Sequence, residues 1–109
     1  AMLLPIVIDF NSKRASTETR DRYHRCAQII GIDHAVPEQA IALMTQEIRQ
    51  INRHFCIPVT LSELGIDRAK IIELRSALVN STLADGCTAS NPRQVTTHDV
   101  EGLIDLITG

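Results

Sequence analysis

Three cysteines and four histidines are the residues of this 109-residue chain best able to do chemistry, and their spacing limits what they can do. His54 and Cys56, separated by one residue, are a close pair of metal-binding types. A zinc site normally shows two short-spaced ligand pairs, and distant Cys87 and His98 would have to join this one. Cys87 and His98 could also form a thiol nucleophile and its base, but no local signature of a cysteine hydrolase surrounds Cys87. His24 on a helix, His34 in a loop and His98 in a first helical turn are expected to be solvated. Tyr23 lies on an apolar stripe, where a buried ring with one hydrogen-bonded hydroxyl is the usual state. The five glycines are scattered, mostly at helix ends, so the chain has no phosphate-binding loop and nothing in it binds a dinucleotide alone.

The segment that must position Cys87 is Asp85 to Thr96, the one long stretch without apolar periodicity. It joins a thoroughly apolar helical pattern, Ile71 to Leu83, to an amphipathic helix over 97–107 that Thr96 or Thr97 caps and that shows Val100, Leu103, Ile104 and Ile107 on one face. Asp67 is expected to cap the helix before it, whose broad face of Ile71, Ile72, Leu74, Leu78, Val79 and Leu83 marks it as the central helix. Irregular backbone between rigid helices is where functional side chains tend to sit.

Upstream, residues 2–10 are apolar at almost every position, so this helix needs neighbours on nearly all sides, and Leu3, Leu4, Ile6, Val7, Ile8 and Phe10 cannot all face one small core. With no cap ahead of it, such a helix is expected of a chain cut from something longer. A polar loop, Asn11 to Ala15, leads to a helix capped by Ser16 or Thr17 and closed at Gly31, with Thr19, Tyr23, Cys26, Ala27 and Ile30 on its buried stripe. Pro37 opens the next, whose stripe Ile41, Met44, Ile48, Ile51, Phe55 steps at helical spacing until Ile57-Pro58 ends it. Thr60 caps a single turn, Leu61 to Leu64, closed by Gly65.

The pattern predicts an all-α bundle of about five helices in one domain, 1–109. A net charge of -2 with interspersed signs and 3% aromatic residues speak against a nucleic-acid partner. Met2 to Ile8 is too short to span a bilayer. An odd cysteine count without CxxC spacing argues against a disulfide framework and for a cytoplasmic protein.

Cys87-Thr88-Ala89-Ser90-Asn91-Pro92-Arg93, followed by a threonine-capped helix with Asp99-Val100, resembles the C-terminal signature of the iron-containing alcohol dehydrogenase family. The resemblance continues through Gly65, Ile57-Pro58, Tyr23 to Gly31, and Leu3-Leu4-Pro5 with Phe10-Asn11, so it spans the chain. It implies the helical C-terminal domain of a two-domain, dehydroquinate-synthase-like enzyme, partnered by an N-terminal nucleotide-binding domain in a parent expected to be a homo-oligomer. The implied activity is hydride transfer between NAD or NADP and a small alcohol or aldehyde, assisted by Fe(II), in some members Zn(II). Without its partner domain the chain is expected to be inert; the alternative is a free-standing helical interaction module. The family's pattern puts all the metal ligands N-terminal to Ala1, so no metal or catalytic residue is carried onto this chain. Cys87 matches a position that lines the substrate and nicotinamide cleft in some members, and Asn91 and Arg93 are expected to shape the loop beside it. If Cys87 faces a cleft, it should be alkylated faster than a buried Cys26. Two departures stand out: Ile6 where many members have histidine, and Cys56 where glycine is usual, a left-handed position past a helix end.

Overall fold

Helix ends in this chain are written in local chemistry, and the computed structural model, which describes residues 1–109, shows them as such. Six helices form: α1 (Leu4–Ser12), α2 (Thr17–Ile29), α3 (Pro37–His54), α4 (Arg68–Ala84), α5 (Gly86–Ala89) and α6 (Thr97–Thr108). The all-α class stands, with α5 as one helix more than the pattern implies. No helix is long and apolar enough to cross a membrane.

Ser16, Asp67 and Thr96 place a side-chain oxygen on the amides of Thr19, Ala69 and Asp99, satisfying donors that a helix start leaves open. Pro37 occupies the first turn of α3, where a missing N–H costs nothing. Thr60 accepts from the Glu63 amide and starts the turn at 61–65.

Three chain reversals share one geometry. After α2 the Gly31 amide bonds to Gln28 and the Ile32 amide to Ala27; after α3 Cys56 bonds to Arg53 and Ile57 to Asn52; after the 61–65 turn Gly65 bonds to Ser62 and Ile66 to Leu61. Each is a Schellman closure, which requires a left-handed residue at its centre. Two use glycine, at φ 92° and 82°, and the third uses Cys56, at φ 53°. A side chain held there costs about 1–2 kcal/mol, partly offset by the extra chain entropy a glycine would lose on folding. Cys56→Gly should therefore leave stability unchanged or raise it by up to about 1 kcal/mol in chemical denaturation. A clear loss would mean that the exposed thiol makes a contact worth more than the strain.

The chain divides into two compact units, Ala1–Ile57 and Pro58–Gly109. In the first, α3 packs on both α1 and α2 around Ile8, Ala27, Ala40, Ile41 and Met44, with Tyr23, Ile32 and Ile48 against them. Ala27 and Ala40 are wholly buried, which lets backbones approach closely. Asn11, expected in a loop, belongs to α1 and is buried, its amide donating to the Tyr23 hydroxyl at 3.1 Å. Asn52, also buried, donates to the Ala1 carbonyl, and Arg49 pairs with Asp9. Every buried side-chain polar atom has a partner.

In the second unit α4 lies on α6 around Ile71, Val79, Val100 and Ile104, with Leu61, Leu83 and Val95 at the margin. The Arg75 guanidinium grips both oxygens of Asp105 and bonds the Glu101 carbonyl, fastening α4 to α6.

Several residues read as buried are not. Cys26, Ile30, Ile51, Phe55, Ile72, Leu74 and Leu78 are exposed. The 13 residues of α2 run out before the 18 of α3 do, which leaves Ile51 and Phe55 beyond cover. Ile30 is the tip of the α2–α3 reversal, and Cys26 lies at the edge of its stripe. Within its unit α4 is the helix that both α5 and α6 pack on, yet it is not covered on all sides. Its apolar residues span more of the circumference than α6 and the short α5 can cover, so only Ile71 and Val79 are fully buried. In α1, Pro5 and Ile8 face inward while Leu4 and Val7, with the cap residue Leu3, face out.

Candidate functional site

The segment from Asp85 to Thr96 is more ordered than its composition implies. Asp85 ends α4 and in the same step caps α5, its Oδ1 accepting the Cys87 amide at 2.7 Å. Thr88 donates its hydroxyl back to the Thr82 carbonyl at 2.6 Å, tying α5 to the last turn of α4. The Cys87 carbonyl accepts from both the amide and the hydroxyl of Ser90, at 3.2 and 2.9 Å. The aspartate two residues ahead of Cys87 was the available signal for α5; four residues are too few to show a period.

Past α5, the Asn91 amide N–H reaches the Thr88 carbonyl and its side chain donates to the Arg93 carbonyl at 2.7 Å. The Arg93 guanidinium donates to Asp99 Oδ1 at 3.1 Å, with only about a fifth of either side chain exposed, 21% and 19%. Asp99 Oδ2 meanwhile takes the Thr96 amide at 2.9 Å and the Thr96 hydroxyl at 2.7 Å, completing a capping box on α6. Asn91 and Arg93 thus both make hydrogen bonds within this segment or to the helix that follows it. Under the loop lies a cavity of about 340 Å³ walled by Leu83, Thr88, Asn91, Arg93 and Val95 among others. Cys87 is exposed and is not among the residues that line it.

The bonds from Thr96, first its hydroxyl and then its amide, together with the charge of Arg93, hold the Asp99 carboxyl below its ordinary value of 3.8. Arg75 does the same for Asp105, chiefly through its hydrogen bonds, and is itself held above its usual range by them. Both carboxyls bind protons less well folded than unfolded. They add stability above the unfolded value, and it is lost as pH falls through the lower folded one. Amide exchange at Thr97 to Asp99 should therefore quicken as pH drops below 3.8, beyond the intrinsic dependence, and Asp99→Asn should flatten that limb. An unchanged acid profile in the variant would count against it.

The remaining candidates are structural. His24 Nε2 lies 2.8 Å from the His34 carbonyl and so must carry a proton, whereas the Val36 amide donates to His34 Nδ1 at 3.1 Å, which must therefore be unprotonated. Both rings are half-buried fasteners of the α2–α3 reversal rather than solvated. His54 stacks edge-on against Phe55, and His98 is exposed. Tyr23 is core, as its stripe implies. Cys26, Cys56 and Cys87 are all exposed free thiols, so the contrast between an open Cys87 and a buried Cys26 has no basis.

The model of the Fe-containing alcohol dehydrogenase family, C-terminal part, matches residues 1–107. The chain belongs to that family. An NADPH-dependent butanol dehydrogenase of Clostridium saccharobutylicum is 28% identical over 107 residues, 98% of this chain and 26% of the relative. A lactaldehyde reductase of Escherichia coli (strain K12) is 29% identical over 102 residues, 92% of this chain and 25% of the relative. The chain thus spans about a quarter of the length of the curated relatives it matches. No solved structure matches it significantly. The family name implies iron, but no three His, Cys, Asp or Glu side chains of this dehydrogenase-family chain come together as metal ligands. These residues do not fit an iron centre on their own.

Proposed function

We propose that this chain is the C-terminal helical part of a metal-dependent NAD(P)-linked alcohol dehydrogenase that interconverts short alcohols with aldehydes or ketones by hydride transfer. The observation that carries the reading is the family match over 107 of 109 residues, joined by two relatives named for small substrates, butanol and lactaldehyde. Nucleotide and metal ligands would come from an N-terminal domain, because this chain has neither a phosphate loop nor a ligand cluster. By itself it would be inert. Its contribution would be one wall of the cleft, with Cys87 facing substrate and nicotinamide and with Asn91 and Arg93 holding the segment. A cytoplasmic location fits three exposed unpaired thiols.

The test is to assay the full-length protein on butanal and lactaldehyde with NADPH and NADH, before and after chelation, beside the 109-residue chain alone. Turnover that chelation abolishes, with none from the chain alone, is the expected result. A full-length protein that turns over no aldehyde would overturn the reading and favour a helical interaction module. The exposed Leu3, Leu4 and Val7 of α1 are the observation behind that second reading.

A further inference from the structure

We propose that Asp99, on α6, is the positioning residue for the Cys87 segment, holding it through Arg93 and Asn91 in the shape that sets where the Cys87 thiol stands. The consequence for substrate choice rests on the proposed reading of Cys87 as a cleft wall; the mechanical claim does not.

A capping box needs one carboxylate oxygen, and Asp99 spends Oδ2 on it. Its Oδ1 is spare for that purpose and is engaged by Arg93. Arg93 in turn presents its carbonyl to the Asn91 side chain, the Asn91 amide bonds Thr88, and Ser90 binds the Cys87 carbonyl with two donors. Hydrogen bonds therefore run almost residue by residue from α6 to Cys87. The far end is tied as well, by Asp85 on the Cys87 amide and Thr88 on the Thr82 carbonyl.

Two features make Asp99 the point on which the segment depends. α6 is anchored in the core by Val100 and Ile104, directly after Asp99, so the carboxylate is held on a rigid element. The Arg93–Asp99 pair is four-fifths covered, unlike the exposed Glu18–Arg22 pair, and partly buried geometry of this kind is screened less than surface pairs are. Gln94 and Val95, the two residues between Arg93 and Thr96 of the cap, separate the pair from the helix start, so losing the pair should free the loop without unwinding the helix.

Asp99→Asn separates the two duties, since an amide oxygen can still accept from Thr96 but no longer pairs with the Arg93 charge. In the full-length protein, Asp99→Asn and Arg93→Gln should each speed hydrogen exchange across residues 86–95 about fivefold, and the double variant should do no more than either alone. Asp99→Glu should restore most of the protection. The KM for a branched aldehyde relative to a linear one should shift about fivefold in the same variants, with kcat for the preferred aldehyde within about twofold. Unchanged exchange over 86–95, or effects that multiply in the double variant, would overturn the positioning role. KM values that move together for all aldehydes would overturn its link to specificity. A wild-type protein that reduces no aldehyde would sink the dehydrogenase reading alone, and the exchange experiment would still decide the role of Asp99.

Discussion

Ile41→Ala should destabilise the chain by about 2–5 kcal/mol, while Ile51→Ala on the same apolar stripe of α3 should cost less than about 0.5 kcal/mol. Ile41 is 3% exposed and packs with Ile8, Ala27, Ala40 and Met44, so truncation removes buried methyl groups and leaves a cavity that wholly buried alanines have little freedom to fill. Ile51 is 54% exposed, and the better helix propensity of alanine offsets what little contact is lost. Urea denaturation of both variants, with the slope of the transition checked for constancy, makes the comparison. Equal losses would mean that Ile51 is covered as Ile41 is, contradicting the burial pattern of α3.

The same pair shows what the sequence could and could not convey. Helix existence and ends were legible: Ser16, Pro37, Asp67 and Thr96 start helices, and Gly31 and Gly65 stop chain segments, because capping involves only a few consecutive residues. The unusual Cys56 was legible only through the family resemblance, which implies a glycine at this position past the end of α3, and its φ of 53° is left-handed. Burial was a different matter. Periodicity tells which face of a helix is apolar, not how far a neighbour extends over it, and that is where Ile51, Phe55, Ile72 and Leu78 depart from expectation.

Polar residues misled in the opposite direction. Asn11 reads as the start of a loop by composition, yet it continues the three-residue step of Pro5 and Ile8 and is buried against Tyr23. Around the candidate site, residue types alone pointed to Cys87, Asn91 and Arg93 only through family resemblance, and the binding partners that order them, Asp85, Thr88 and Asp99, went unseen. Asp99 was recognised as a helix-start residue, but its second oxygen meets Arg93 six positions earlier, a contact that depends on the fold of the intervening turn.

With Cys87 lining the cleft as proposed, Cys87→Val in the full-length protein should change KM and aldehyde preference about tenfold, equivalent to about 1.4 kcal/mol, without abolishing turnover. The thiol is exposed in this chain, so it is free to meet a substrate where a buried cysteine would not be, and α5 holds it by two local anchors. Valine is larger than cysteine and branched at Cβ, so it should narrow the wall toward substrate and penalise bulkier aldehydes most, while Cys87→Ala should widen it and relax the preference. Hydride transfer needs no thiol nucleophile, so kcat for the best-fitting aldehyde should stay within about threefold. Exposure also allows a control in the same experiment: Cys26→Val, at another exposed thiol on α2, should leave every constant unchanged. Two results would remove Cys87 from the cleft: identical kinetics in Cys87→Val and wild type for every aldehyde, or equal shifts in the Cys26 variant. A loss of kcat beyond about a hundredfold in both Cys87 variants would instead give the thiol a chemical role, because a wall residue alters fit and not the reaction itself.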